Sequence, residues 1–237
     1  MQKRKIHVWD LPVRLFHWLL VITIALSYAS IEIGGLLTDW HARIGAFALG
    51  LIVFRIIWGF VGNQQARFIH FVPTPARLTQ YFKGQWHGVG HSPLGGLAVL
   101  GLLGVTSLII ITRLFANDDV TLFGPLFSLV SQSESDWLTG VHAIAFNFLL
   151  AMIVLHLLAI AFYWLVKKNN LIKPMITGKK AISTVTAHTE TQQTKPARFI
   201  ISIALTLLVV WLTFGSVFTD ILSSAPAAQP PVSQHQW

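Results

Sequence analysis

TGVHAIAFNFLLAMIVLHLLAIAFYWLV, residues 139–166, decides the architecture. The stretch carries no Asp, Glu, Lys or Arg, and it exceeds the roughly 20 apolar residues that a helix needs to cross a bilayer core. Its length predicts a helix that tilts or protrudes. Four more apolar stretches accompany it, at residues 11–31, 41–60, 94–112 and 199–218. The whole chain of 237 residues is 54% hydrophobic and 11% charged, where a soluble domain carries about 25% charged residues. A mean hydropathy of +0.63 agrees. The expected fold is an all-α integral membrane protein, with a four-helix transmembrane bundle and one additional C-terminal transmembrane helix.

The charges lie between the spans. Lys3, Arg4, Lys5 and Arg14 flank or open the first span, Arg67, Arg77 and Lys83 occupy the second connection, and Lys167, Lys168, Lys173, Lys179, Lys180, Lys195 and Arg198 follow the fourth. The opposite side has Arg43 and Arg113, with Glu32, Asp39, Asp118, Asp119, Glu134 and Asp136 nearby. The positive-inside rule predicts a cytoplasmic N-terminus and, after five crossings, a C-terminal tail outside. The net charge of +8 is then topological, and nucleic acid is not expected as a partner. A cleavable signal peptide is the rival reading of the N-terminus; the apolar run is too long for a typical h-region and no clear A-x-A-like site follows. There are no cysteines, which excludes disulfides, thiolate metal sites and CxxCH attachment of haem.

The polar, Thr/Gln-rich residues 182–195 read as a flexible linker. The expected organisation is a membrane domain over residues 1–178, a cytoplasmic linker over 179–198, a fifth span over 199–219 and an extracytoplasmic tail over 220–237. Residues 62–93 mix turn residues with Phe68, Phe71, Tyr81, Phe82 and Trp86, as expected of a loop along the cytoplasmic membrane surface.

Four of the ten histidines, His17, His41, His142 and His156, lie in or at the ends of spans. An ionisable residue there marks a functional site by default, because lipid offers its nitrogens no partners. Alternating span directions place His41 and His142 near the outer ends of their helices and His17 and His156 deeper, toward the inner side. His156 follows His142 by fourteen residues, about 21 Å along the helix and nearly on the same face. Two depth-matched pairs follow. A histidine pair on facing helices supplies both axial ligands of a haem, and bundle cores commonly hold such cofactors. The face between His142 and His156 carries Ala145, Phe146, Leu149 and Ile153, which is apolar enough for two stacked pockets, and Ala42, Gly45 and Ala46 leave room beside His41. Arg55, fourteen residues after His41, is placed to meet the anionic propionates of the inner haem.

Zinc is a poorer match, because each pair offers two nitrogens where zinc usually takes four ligands. A non-haem, proton-coupled transporter would use buried histidines too, but the spans lack Asp or Glu partners and broken helices. His7, His188 and His235 fall in terminal or linker segments, and His70, His87 and His91 in the cytoplasmic loop. The bland reading makes the loop histidines surface residues; the sharper one has His91 or a neighbour handle protons or bind quinone near the inner haem. Asp118, Asp119, Glu134 and Asp136 form an acidic outer face that serves topology, or docks a basic redox partner such as a cytochrome c.

These residues resemble the prokaryotic cytochrome b561 and Ni,Fe-hydrogenase b-type cytochrome family over residues 5–178. The resemblance is carried by VWDLPVRLFHW at 8–18, HARIGAFALGLIVFRIIWG at 41–59, ARF at 66–68, GHSPLGG at 90–96, and the fourth-span histidines His142 and His156. It implies a bacterial inner-membrane protein with two haem b groups, ligated by His17, His41, His142 and His156, that exchanges electrons with the quinone pool. It also places Arg14 and Arg55 in the family motif near the cofactors. The linker and fifth span depart from the short four-helix members. The function expected is electron transfer between quinone or quinol and a periplasmic cytochrome c or a hydrogenase-like complex. A stand-alone oxidoreductase acting on a small oxidant such as superoxide is the alternative within this class.

Overall fold

The computed structural model describes residues 3–86, 88, 90–117, 123–183 and 194–223. Strand β1 spans Lys3–His7 and is followed by helices α1 (Leu11–Ile33), α2 (Thr38–Val61), α3 (Phe68–Phe71), α4 (Pro75–Phe82), α5 (Pro93–Phe115), α6 (Gln132–Leu165) and α7 (Ile172–Thr177), strand β2 (Lys179–Ser183) and helix α8 (Pro196–Ser223). Among the described residues five helices, α1, α2 with its leading 3-10 turn, α5, α6 and α8, are long and apolar enough to cross a membrane. Their outward side chains, among them Ile144, Leu155 and Leu212, are large, apolar and exposed, as lipid-facing surfaces are.

Helix ends follow local chemistry. Asp10 caps α1, its Oδ1 accepting from the Val13 N–H at 3.0 Å, with Pro12 in the first turn, where its missing N–H costs nothing. Gly34 (φ 68°) and Gly35 (φ 60°) turn the chain into α2, in a backbone region that favours glycine. Helix α6 begins at Gln132, seven residues before the apolar run. Ser131 and Glu134 form a reciprocal capping box there, which draws the polar residues into the first turns. At 34 residues α6 is about 51 Å long, so it extends beyond a hydrocarbon core of about 30 Å.

Helix α2 is the central element, packing on α1, α5 and α8. In its most apolar window 39% of residues are buried, against 11% in α1, α6 and α8. The core gathers around its second half, where Leu49, Ile52, Phe54 and Trp58 meet Val13, Phe16 and Ile110. Phe54 stacks on Trp58 at 5.9 Å, and Phe199 of α8 meets both edge-on.

Beyond the spans, β1 pairs antiparallel with β2, from Lys3 opposite Ser183 to His7 opposite Lys179. The Val8 N–H extends the contact by donating to the Gly178 carbonyl at 2.8 Å. Gly178 sits at φ 76°, and a Cβ there would lie 2.8 Å from the Trp9 carbonyl, so this close approach requires glycine. The segment expected to be linker therefore opens with a strand that joins the membrane domain; residues 184–193 lie outside the described residues, as do 224–237 of the tail. Helix α8 lies along α2. Its buried Ser202 and Thr206 return their hydroxyls to their own helix, and Thr206 and Val210 close over Gly50, a small-residue contact of the kind that lets membrane helices approach. The loop between α2 and α5 carries α3 and α4, and α4 is held to α6 by a hydrogen bond between the Tyr81 and Tyr163 hydroxyls.

Candidate functional site

Helices α2 and α6 bring His41 and His142 together, with ring centroids 6.5 Å apart and planes at 78°. Two metal–imidazole bonds of about 2 Å, plus about 1 Å from each nitrogen to its ring centre, span about 6 Å. One iron fits between them. His142 Nδ1 lies 2.9 Å from the Ile109 carbonyl of α5, and His41 Nδ1 lies 3.1 Å from the Ser27 carbonyl of α1. A carbonyl only accepts, so each Nδ1 carries the proton and each Nε2 keeps its lone pair free for a metal. The Ser27 and Ser30 hydroxyls stand 3.2 and 3.3 Å from the same His41 nitrogen. Beside this pair, a Cβ on Gly45 would meet nothing within 4 Å. That open space, one turn after His41, and the two imidazole nitrogens suit a flat macrocycle with axial ligands.

The α5–α6 end nearby is fastened by buried polar contacts. Asn117 Nδ2 donates to Ser135 Oγ at 2.7 Å, and Ser135 Oγ donates to the Phe115 carbonyl at 2.7 Å. Arg113, in the last turn of α5, is close enough for its charge to act on both His41 and His142. The sequence shows Arg113 only as one of two cations on its side of the membrane; its position beside the histidines depends on the packing of α5 against α6.

His17 and His156, expected as the second pair, are both half-buried, and His156 is near enough for its charge to act on His17. His17 packs edge-on against Trp18 at 5.0 Å, and its buried Nδ1 finds no hydrogen-bond partner among the described residues. Arg55 belongs to this end. Its side chain is 3% exposed, with Nη1 buried and unpartnered, and its guanidinium lies over Phe68 at 5.0 Å and Phe71 at 5.9 Å. A buried cation with an idle donor suits a carboxylate such as a haem propionate. Arg14 donates from Nη1 to the Ile176 carbonyl and ties α1 to α7, while its Nε is buried and finds no hydrogen-bond partner among the described residues.

Asp10 completes the end, its Oδ2 accepting the Trp58 indole N–H at 3.0 Å. Burial pushes its carboxyl up from the ordinary range, against the hydrogen bonds of Val13 and Trp58 and the charges of Arg55 and Arg14. His91 lies between Trp9 at 4.5 Å and Phe71 at 4.4 Å. Burial first, then the charge of Arg55, push its imidazole down to about 3, so it is neutral near pH 7. Its Nδ1 is buried and unpartnered, and the ring lines a cavity of about 250 Å³ with Gln65, Phe71, Arg77 and Trp86. His7 and His70 are exposed, and His87, His188 and His235 lie outside the described residues.

Of the acidic face, Glu134 is engaged in the α6 capping box and Asp136 accepts from Gln132, while Asp118 and Asp119 lie outside the described residues. The helix start thus uses two of the four residues expected to dock a partner.

The family model of prokaryotic cytochrome b561 matches residues 8–178. A protein named "Probable Ni/Fe-hydrogenase B-type cytochrome subunit" from Azotobacter vinelandii is 26% identical over 215 residues, covering 73% of this chain and 87% of its own. One of the same name from Rhizobium leguminosarum bv. viciae is 21% identical over 220 residues, covering 76% and 90%. A "Probable Ni/Fe-hydrogenase 1 B-type cytochrome subunit" of Escherichia coli (strain K12) is 26% identical over 137 residues, covering 45% and 57%. No solved structure matches the chain.

Proposed function

Since the chain belongs to the prokaryotic cytochrome b561 family, we propose that this multi-pass b-type cytochrome carries two haem b groups and passes electrons between membrane quinone or quinol and a redox partner outside the bacterial inner membrane. The coarse activity, membrane electron transfer, comes with the family. When bound, haem supplies an iron that cycles by one electron, and the protein supplies ligands, orientation and dielectric. His41 and His142 would hold the outer group through Nε2, with the Ser27 and Ile109 carbonyls fixing their tautomers. His17 and His156 would hold the inner one, with Arg55 oriented by Phe68 and Phe71 toward its propionates. The observation that carries this reading is the 6.5 Å separation of the His41 and His142 rings, each with its Nδ1 on a backbone carbonyl.

At the inner end, the cavity lined by Phe71, Trp86, Gln65 and His91 offers the mixture of aromatic and polar side chains that suits a quinol head group. Neutral His91, its Nδ1 buried and unpartnered among the described residues, is equipped to hydrogen-bond a hydroxyl there. The N-terminus, on the side with most Lys and Arg, faces the cytoplasm. The partner outside is a hydrogenase-like complex, the kind the relatives are named for, or a cytochrome c. Reduced-minus-oxidised spectra with a pyridine haemochrome count test the assignment. Two b haems per chain are expected, with His41→Ala and His142→Ala losing one of them and His17→Ala and His156→Ala the other. Colourless protein from haem-replete membranes would refute it.

A further inference from the structure

Apart from its two histidines, α6 carries three hydroxyl or amide side chains between residues 139 and 163, namely Thr139, Asn147 and Tyr163. The Thr139 hydroxyl donates to the Asn117 carbonyl at 3.1 Å, and the Tyr163 hydroxyl bonds that of Tyr81. Asn147 reaches no other element and is exposed. At about 100° per residue it stands about 140° around the helix from His142 and about 180° from His156, on the side away from both. It lies about 7.5 Å inward of His142, at a depth between the two pairs and therefore inside the bilayer core. Its Nδ2 donates to the Ala143 carbonyl one turn back at 3.2 Å. The second N–H and Oδ1 have no partner among the described residues. A buried hydroxyl such as that of Thr206 returns its one proton to its own helix, but an amide has more groups than that bond satisfies. Lipid supplies none of the missing bonds.

The surface around this amide admits a close neighbour. Gly140, Ala143 and Ala151 are exposed and lie within about 40° of Asn147 around the helix, and a Cβ on Gly140 would meet nothing within 4 Å. Val154 and Leu158, both exposed, continue the same face. Helix α6 packs on α5, and 11% of its most apolar window is buried, so this face is uncovered. We propose that it pairs with the same face of a second copy of the chain, Asn147 bonding Asn147 across a two-fold axis. The amide itself selects this occupant. It has one free donor and one free acceptor, and a two-fold axis sets each donor against the other copy's acceptor, satisfying both amides at once. Small residues on the two helices let the backbones come near enough for that bond. Because the face lies opposite the histidines, the pairing leaves both sites undisturbed.

The test uses the full chain, purified as holoprotein, in phospholipid vesicles. The chain has no cysteine, so Ser233→Cys gives a single labelling position, and energy transfer between donor-labelled and acceptor-labelled copies is followed as protein is diluted into lipid. With Asn147 in place the copies associate. Asn147→Ala raises the dissociation constant about tenfold, the size expected of an interhelical side-chain bond in a membrane, and Asn147→Gln, which keeps the amide, recovers most of the loss. Haem content stays the same in both, because the side chain is remote from the histidines. A second measurement locates the contact without touching Asn147: in native membranes oxidised with copper phenanthroline, Ala151→Cys yields a disulfide-linked dimer, and Ile22→Cys, on an exposed position of α1, does not. No energy transfer with Asn147 in place, or an unchanged dissociation constant in Asn147→Ala, overturns the proposal. So does an Ala151→Cys product that joins the chain to a different membrane protein. These outcomes are independent of the number of haems, so the proposal and the two-haem reading fail separately.

Discussion

At the His41–His142 end, both ring Nδ1 atoms rest on backbone carbonyls and the ring centres already stand 6.5 Å apart. At the His17–His156 end, the His17 Nδ1, Arg14 Nε and Arg55 Nη1 are buried without a hydrogen-bond partner among the described residues. One site is organised by the chain alone; the other keeps polar groups waiting. A buried polar atom without a partner costs about 1–3 kcal/mol, so the inner end is the one that a ligand completes. The fold thus divides two tasks that the repeated histidine would suggest are equal: a pre-formed outer site and an inner site linked to a cavity, a buried arginine and His91.

The largest expected effect tests this contrast directly. Outer-shell partners of a metal ligand are commonly worth 10–100-fold in affinity, so under haem limitation the outer site should fill first. Cells starved of haem would yield protein in which His17→Ala leaves the haem content nearly unchanged and His41→Ala removes most of it. Equal losses would break the comparison. Next comes Asp10, whose two oxygens cap α1 and hold the Trp58 indole. Asp10→Ala removes a cap worth about 1 kcal/mol and leaves a fully buried Trp58 N–H unpaired at about 1–3 kcal/mol more. Thermal denaturation in detergent should show a large loss, with the inner haem released before the outer. At the other end, Ser135→Ala breaks two buried bonds that join α5 to α6, a loss of about 1–3 kcal/mol expected to loosen the outer haem first.

Much of this was legible in the sequence, because spacing alone sets depth and face in a membrane helix. His142 and His156 needed only 3.6 residues per turn, and the positions of His17 and His41 needed only span direction. The contacts that differentiate the two ends were not legible. Asp10 and Trp58 lie far apart in the chain, and β1 meets β2 across nearly the whole membrane domain without an alternating pattern to announce either strand. Arg113 looks like a topological charge until α5 is docked on α6. The polar start of α6 was missed for a local reason: hydropathy ends at Thr139, whereas the helix is started by the Ser131–Glu134 cap.

Acid sensitivity should separate the ends further. The ordinary imidazole value is 6.5 and burial holds that of His91 near 3, so below pH 6.5 the unfolded chain takes up a proton that the folded chain refuses. Stability is then full above pH 6.5 and declines as pH falls, by at most about 1.4 kcal/mol per pH unit. Asp10 works the other way, since burial raises its value from 3.8 and its protonation favours the folded state at lower pH. Several buried histidines can contribute to the slope of the melting points between pH 6.5 and 5, and a substitution isolates the share of His91. His91→Phe should flatten the profile in that window, and an unchanged slope would place the acid sensitivity elsewhere.

The smallest effect sharpens what holds the outer ring. His41 Nδ1 has three oxygens around it, the Ser27 carbonyl at 3.1 Å and the Ser27 and Ser30 hydroxyls at 3.2 and 3.3 Å. The ring has one N–H to donate there, and the carbonyl is both the closest acceptor and the one that cannot rotate away. The Ser30 hydroxyl is already donated to the Ser27 carbonyl at 2.7 Å, so it competes for that oxygen as well as approaching the ring. Ser27→Ala retains the carbonyl and should change the outer haem's content and potential hardly at all, with stability altered by about 0.5 kcal/mol or less, as for surface-like substitutions. If Ser27→Ala instead released the outer haem, the hydroxyl would be the true anchor of His41. The outer site would then depend on a rotatable side chain, and its claim to be the pre-formed one would pass to the backbone-held His142 alone.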